Sequence, residues 1–405
     1  MEPTHQILPD PSAFANSATE ANPQFSIVMP CLNEADTLAV CIRKAHSGLA
    51  AAGVKGEILV ADNGSTDGSQ EIATREGARV VAVPAKGYGN ALMGGIAAAD
   101  GRYVIMGDAD DSYDFEEVPK FIAKLQAGYE LVQGCRLPSG GGRVLPGAMP
   151  FSHRWVGNPM FSLLVRWWFH APIHDVYCGL RGFSKELYLR LDQRCTGMEF
   201  ATEMIIKASL FAAKIAEVPI TLHPDGRKAH APHLKTVRDG WRTLRFFLIY
   251  SPRWLFLVPG FALLFLGLVA YALALPGLTI GRATFDAHTL LFGSLFLICG
   301  YQSVLFAIFS KAFAVNEGLM PASKQFVGFY RVATLERGLM LGGAAMLVGA
   351  SMLLFAVNEW RLASFGSLDY ARTMRVVIPG ATLTALAFQT ILSSFFVSIL
   401  GMNRR

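Results

Sequence analysis

From residue 254 onward the chain alternates long uncharged apolar runs with short polar links. Four runs stand out: Leu255–Leu275, His288–Ser310, Gly338–Val357 and Val376–Gly401, of 21, 23, 20 and 26 residues. A helix rises ~1.5 Å per residue and a bilayer's hydrocarbon core is ~30 Å thick, so each run is long enough to span. Four in succession point to membrane helices rather than to buried helices of a soluble core. Pro259 and Pro379 fall in the first turns of their runs, where a missing backbone N–H costs least.

The front of the chain has another rhythm. Short apolar runs suited to buried strands occur at Phe25–Pro30, Glu57–Ala61, Arg79–Val83, Tyr103–Met106 and Glu130–Gly134. Helical stretches separate them, for example Glu34–Ala52 and Gly89–Ala99. This alternation predicts an α/β unit with a mainly parallel sheet and a ligand site at the carboxyl ends of its strands. Met1 to Gln24 is polar, contains Pro3, Pro9, Pro11 and Pro23, and lacks a basic start, so it reads as a disordered leader and not a signal peptide. The expected organisation is a leader over 1–24, a head over 25–225, a neck over 226–253 and a membrane domain over 254–405.

Charge refines this division. Charged residues make up 17% of the chain, against about 25% in an ordinary soluble domain. The formal net charge of +5 is a sum of unlike parts. Residues 1–225 carry 19 Lys+Arg against 25 Asp+Glu, the neck seven against one, and the remainder 10 against 5. In the neck, Trp241, Leu244, Phe246, Phe247 and Leu248 interleave with Arg238, Arg242 and Arg245, the pattern of an interfacial amphipathic helix. Thirteen basic residues flank the spans on one side and four on the other, which places the head, the middle loop and both termini in the cytoplasm of a multi-pass inner (plasma) membrane protein. The basic stripe abuts the first span, which argues against a nucleic-acid partner. Six cysteines without a C-x-x-C pair speak against disulfides or a zinc site.

Three strand ends carry polar residues: Pro30-Cys31-Leu32-Asn33-Glu34, Asp62-Asn63-Gly64-Ser65-Thr66-Asp67-Gly68, and Asp108-Ala109-Asp110-Asp111. A single acidic strand end is more often a helix cap or turn, and Asp67 fits that bland reading. Three on the rim of one sheet favour a site. Asp108 and Asp110 can offer oxygens to a hard divalent ion while leaving room for substrate phosphates. Lys86-Gly87-Tyr88-Gly89-Asn90 follows the third strand and opens a helix, a plausible anion site. It is no dinucleotide fingerprint, because Leu92 stands where G-x-G-x-x-G needs glycine.

These motifs resemble the family 2 inverting glycosyltransferases, and within them the dolichyl- and polyprenyl-phosphate sugar synthases, over about residues 25–250. The resemblance implies a GT-A (Rossmann-like) catalytic domain followed by interfacial helices and a four-helix transmembrane domain. It implies a nucleotide-sugar donor held by Pro30, Asn33, Glu34, Asp62, Lys86 and Asp108. It implies Mg²⁺ or Mn²⁺ on Asp108 and Asp110, with Asp110 and Asp175 as the catalytic acids. Arg136, Arg181, Arg227 and Lys228 are then expected at the acceptor phosphate of a polyprenyl lipid. Asp175 lies in His174-Asp175-Val176-Tyr177-Cys178-Gly179-Leu180-Arg181, which is similar to the family's acceptor-side segment, and Met198-Glu199-Phe200 with Glu203 also recurs in relatives. Many mannose synthases continue D-A-D with Leu-Gln; Asp111-Ser112 follow here, which leaves the third metal ligand and the sugar open. A homo-oligomer is a further expectation.

Other readings remain at this stage. A processive polysaccharide synthase would carry Q-x-x-R-W after the acceptor acid, but Arg154-Trp155 precedes Asp175 and Phe151 stands in the glutamine position. An enzyme glycosylating another membrane lipid would need Asp175 as a base towards a hydroxyl. A non-catalytic scaffold or transporter is opposed by spans without internal Lys, Arg, Asp or Glu.

Overall fold

The computed structural model describes residues 23–227 and 236–401, without the side chains at 236–239, 325, 327 and 330. The body of the leader, Lys228 with the neck up to Lys235, and the terminal Arg404 and Arg405 lie outside the described residues. The chain divides into two compact units between Gly240 and Trp241, within a helix of the expected neck.

The first unit is built on β1 (Phe25–Cys31), β2 (Gly56–Asp62), β3 (Arg79–Ala82), β4 (Tyr103–Met106) and β5 (Leu131–Cys135), each close to its expected bounds. Connecting them are α1 (Leu38–Ala51), α2 (Ser69–Arg75), α3 (Tyr88–Ala98) and α4 (Val118–Gln126). Next come β6 (Arg143–Val144), α5 (Asn158–Phe169), β7 (Arg181–Ser184), α6 (Lys185–Leu191), α7 (Glu199–Leu210), β8 (Ile215–Pro219) and β9 (Thr221–Leu222). Seven strands form one sheet in the order β3-β2-β1-β4-β7-β5-β8. All run parallel except β7, which lies antiparallel between β4 and β5. The sheet is therefore mixed, and mostly parallel as expected.

Burial on both faces explains the uninterrupted apolar runs. Ile27, Val28 and Met29 of β1 and Ile105 and Met106 of β4 have no exposure. Where β1 pairs with β2 on one side and β4 on the other, the strand order reverses, and this switch point is where open α/β sheets bind ligands. Helix α3 lies close to the sheet there. A Cβ on Gly95 would meet Val28 Cγ1 at 2.5 Å and the Ala61 Cβ at 3.0 Å, so only glycine permits this spacing.

The second unit contains most of α8 (Thr236–Ile249), then α9 (Val258–Ala274), a two-strand hairpin of β10 (Thr279–Ile280) and β11 (Ala283–Thr284), α10 (Ala287–Asn316), α11 (Lys324–Val332), α12 (Leu335–Leu362) and α13 (Tyr370–Leu400). Among the described residues, four helices are long and apolar enough to cross a membrane: Arg253–Ala274, Ala287–Asn316, Leu335–Leu362 and Tyr370–Leu400, of 22, 30, 28 and 31 residues. Helix α10 packs against α9 and α13, and α12 against α13. Gly267 faces the Gly293 carbonyl, and Gly349 faces Thr384 and the Gly380 carbonyl, so small residues set these crossings. The large apolar side chains of Phe265, Leu341, Leu347 and Leu354 point outward.

One expectation fails here. Pro379 is interior to α13, not in its first turn, although Pro259 does sit at the start of α9. The Asp369 side chain accepts from the Arg372 N–H at 2.8 Å and starts α13 a full nine residues before Pro379. The apolar run marks the buried length of a helix, whereas the cap marks its end.

Candidate active site

The β1 and β2 ends are tied into one surface by short-range polar contacts. Asn33 takes a left-handed φ of 60°, tolerated by its small amide, and its Oδ1 accepts from the Thr66 N–H at 2.9 Å. The Asn33 N–H donates to Ser65 Oγ at 2.9 Å. Asp62 is buried, and its carboxylate accepts from the N–H groups of Gly64 and Ser65 and from Gln70 Nε2 at 2.7 Å. Asp62 thus shapes its own turn. Asn63, which the sequence reading passed over, joins this turn to the segment after β3. Its Nδ2 donates to the carbonyls of Val83 and Ala85 at 2.9 and 2.8 Å, and its Oδ1 accepts from the Gly87 N–H. Lys86 Nζ donates to the Asn63 carbonyl and lies against Gly64. Pro30 sits in β1 opposite Ala61.

The third strand end supplies the acids. Asp108 Oδ1 accepts from the Tyr88 hydroxyl at 2.8 Å, a partner contributed by the first turn of α3. Burial, and then the charge of Asp110, push the Asp108 carboxyl up to about 6. Asp110 Oδ1 accepts from the backbone and hydroxyl of Ser112, at 3.0 and 2.6 Å. The loop is fastened to α1 by the Thr37 hydroxyl on the Ala109 carbonyl at 2.6 Å and by Lys44 on Asp111 at 2.9 Å. Among the described residues no three His, Cys, Asp or Glu side chains are grouped as a metal cage. Two carboxylates on one loop nevertheless fit Mg²⁺ or Mn²⁺, which takes one or two protein carboxylates when diphosphate oxygens and waters complete its shell.

Arg227 comes to this same rim from beyond β9. Its Nε lies 2.9 Å from both Asp225 oxygens, its Nη1 3.2 Å from Glu34 Oε1 and its Nη2 3.4 Å from Asp110 Oδ2. The Asp225 hydrogen bonds hold the guanidinium well above its usual range, so it is permanently charged. The structure therefore brings together Glu34, Asp108, Asp110 and Arg227.

The other expected residues are placed differently. Asp175 has no exposure, and its carboxylate is held by Arg136 in a two-pronged contact, Nε–Oδ2 2.7 Å and Nη2–Oδ1 2.9 Å. The Arg136 N–H adds a third bond at 3.0 Å. Neither side chain is presented as an open ligand, because a buried charge is stable only when paired. Tyr113 links this pair to the acids: its hydroxyl accepts from Arg136 Nη1 at 3.4 Å and from the Gly179 N–H at 2.8 Å. A Cβ on Gly179 would lie 2.7 Å from Asp108 Oδ2, so the acid loop passes directly over this turn. Arg181 opens β7, is fully buried, and donates to the carbonyls of Cys178, at 2.7 Å, and Ala201. Burial lowers its affinity for the proton. Glu203 and Lys207 form a wholly buried pair at 3.1 Å on α7, and Glu203 Oε2 accepts from the N–H groups of Arg194 and Cys195.

A second feature escaped the sequence reading. The segment from Phe151 through α5 exposes Phe151, Trp155, Val156, Met160, Leu163 and Trp167, with Arg154 and Arg166 among them. Spacings that are mostly three or four residues along a helix were a legible signal of a second amphipathic element ahead of the neck.

A mostly parallel sheet with an Asp-x-Asp rim at its switch point, in one chain with four membrane-length helices, defines a membrane-anchored group-transfer enzyme. Residues 26–191 match the model of glycosyl transferase family 2, and residues 308–401 that of the glycosyltransferase family 2 C-terminal transmembrane region. The chain is 36% identical to the low-salt glycan biosynthesis hexosyltransferase of Haloferax volcanii over 386 residues, 94% of this chain and 89% of the relative. It is 34% identical to a dolichyl-phosphate hexose transferase of the same organism over 41% of this chain and 69% of that protein. It is 31% identical to an undecaprenyl-phosphate 4-deoxy-4-formamido-L-arabinose transferase of Klebsiella pneumoniae over 48% of this chain and 58% of that protein. Crystalline glucosyl-3-phosphoglycerate synthase of Mycobacterium tuberculosis superposes with a TM-score of 0.46 at 24% identity, over 57% of this chain and 81% of that one. The protein belongs to glycosyltransferase family 2 and is a membrane-bound glycosyltransferase with a mostly parallel α/β catalytic domain.

Proposed function

We propose that the enzyme transfers a hexose from a nucleoside-diphosphate sugar to a polyprenyl phosphate at the membrane surface, giving a lipid-phosphate-linked monosaccharide. The observation that carries this reading is the Asp108–Asp110 rim at the switch point, in a chain with four membrane-length helices. The dolichyl- and undecaprenyl-phosphate relatives support the acceptor class. The exposed apolar side of α5 supports work at a lipid surface. The excess of basic residues beside alternate span ends supports a cytoplasmic head.

Asp108 and Asp110 would hold the divalent ion, with Tyr88 fixing the Asp108 carboxylate. When bound, that ion neutralises charge building on the departing diphosphate. Asn33, Glu34, Asp62 and Lys86 shape the nucleotide cleft. A phosphate oxygen of the acceptor attacks the anomeric carbon, and the carbon–oxygen bond to the diphosphate breaks with its electron pair going to the leaving group. An alkyl phosphate has a second pKa near ~6 and is largely a dianion at neutral pH, so no strong base is needed. Asp175 then acts as a positioning residue that aims Arg136.

The test is a panel of UDP- and GDP-hexoses with undecaprenyl phosphate and the full chain in detergent, read by mass spectrometry. A lipid-phosphate monosaccharide that disappears with EDTA is the expected product. A polymer, or sugar attached to a lipid hydroxyl, overturns the reading.

A further inference from the structure

Arg227 lies among the acids of the rim. Its guanidinium joins the end of β1, through Glu34, to the loop after β4, through Asp110. The surrounding backbone confines it there. The Gly226 N–H donates to the Asp110 carbonyl at 3.0 Å and the His223 N–H to the Ser112 carbonyl at 2.9 Å, so the arginine rides on the acid loop itself. Its contacts are graded: both Asp225 oxygens lie at 2.9 Å from Nε, Glu34 at 3.2 Å and Asp110 at 3.4 Å. A tether only two residues away thus anchors the charge, and the contact to the candidate metal ligand is the longest of the set.

We propose that Arg227 is a built-in counter-cation that closes the acid rim before loading and competes with the divalent ion for Asp110. The inference rests on the reading that Asp108 and Asp110 hold that ion. Two charges concentrated on a small ion outweigh one charge spread over a guanidinium, and the 3.4 Å contact is the first to yield. Displacement leaves Arg227 on its Asp225 and Glu34 contacts and turns the Nη2 N–H that faced Asp110 free for a phosphate. The device orders the site: cation and diphosphate first, acceptor phosphate second, with the arginine passing from carboxylate to phosphate.

The experiment titrates Mn²⁺ alone into the purified full chain and follows free Mn²⁺ by electron paramagnetic resonance, for the unaltered protein, R227A, R227K and D110N/R227A. Thermal melting of each verifies folding. R227A should bind Mn²⁺ about tenfold more tightly than the unaltered protein, near the lower end of what a hydrogen bond between charged groups contributes. R227K, which keeps the charge but not the fork, should fall between them, and provides the comparison if R227A does not fold. D110N/R227A should lose the gain. Equal or weaker binding by R227A and R227K overturns the counter-cation while leaving the metal reading intact. Absence of Mn²⁺ binding in every variant, with UDP and GDP added in turn, overturns the metal reading and this inference together.

Discussion

The two units handle buried polarity in opposite ways. The catalytic unit buries full charges: Arg136 with Asp175, Glu203 with Lys207, and Arg181 on backbone carbonyls. The helical unit buries hydroxyls instead. Tyr271 meets Ser294 at 2.6 Å and Thr382 at 3.0 Å, and Tyr301 meets Thr390 at 2.7 Å. A parallel sheet surrounded by loops can supply several hydrogen bonds to each ion, which offsets its desolvation. Helices whose backbone groups are already paired offer no such spare donors, so neutral hydroxyls are the polar glue that hydrocarbon tolerates. Buried ion pairs thus hold the catalytic unit together, and hydroxyl pairs join the helices.

That contrast can be broken in steps. The largest effect is expected for Asp175→Ala, which strands the buried Arg136 charge and should destabilise the catalytic unit by about 3–5 kcal/mol in denaturant melts. If D175A melts like the unaltered protein, the pair is not structural. Next, Asp110→Ala removes a partly exposed acid and should lower turnover by about 10²–10³-fold with little change in melting. A matched loss of stability would assign Asp110 to the scaffold instead.

A third prediction uses pH. Protonation of Asp108 competes with the metal, so Mn²⁺ affinity should fall about tenfold per pH unit once pH drops below about 6. The stability term has the opposite sign. Because the folded carboxyl has a pKa above its ordinary value, the folded state binds more protons, and the metal-free catalytic unit should gain stability as pH falls from 6 towards 4. D108N should flatten both dependences, and an unchanged Mn²⁺ profile in that variant sinks the assignment. The smallest effect is expected in the helical unit, where Thr382→Val should cost about 0.6 kcal/mol, the mean for interhelical hydrogen bonds in membranes, measured by unfolding in mixed micelles.

Much of the architecture was legible from periodicity. Strands β1 to β5 fall within about a residue of the apolar runs, because strands buried on both faces cannot afford polar interruption. The acids of the rim were legible because a strand end is the only place where such runs stop abruptly in Asp or Asn. Strand β7 was not legible: Arg181-Gly182-Phe183-Ser184 begins with a charge, and its partners come from β4 and β5, far away in sequence. The antiparallel insertion is a tertiary decision. Pro379 was misplaced because the apolar run does not extend to the Asp369 cap.

The site divides in the same way. Sequence alone determined the class: an α/β head with an acidic rim, a basic neck and four spans, since each follows from composition and period within a short window. Tertiary structure decided what each charge does. Arg136, Arg181 and Arg227 are one residue type with one sequence expectation, yet the fold locks the first to Asp175, buries the second on carbonyls and sets the third among Asp225, Glu34 and Asp110. Pairing in space depends on which strands the sheet places side by side. No local pattern records the partner of a charge 193 residues away, as Glu34 is from Arg227.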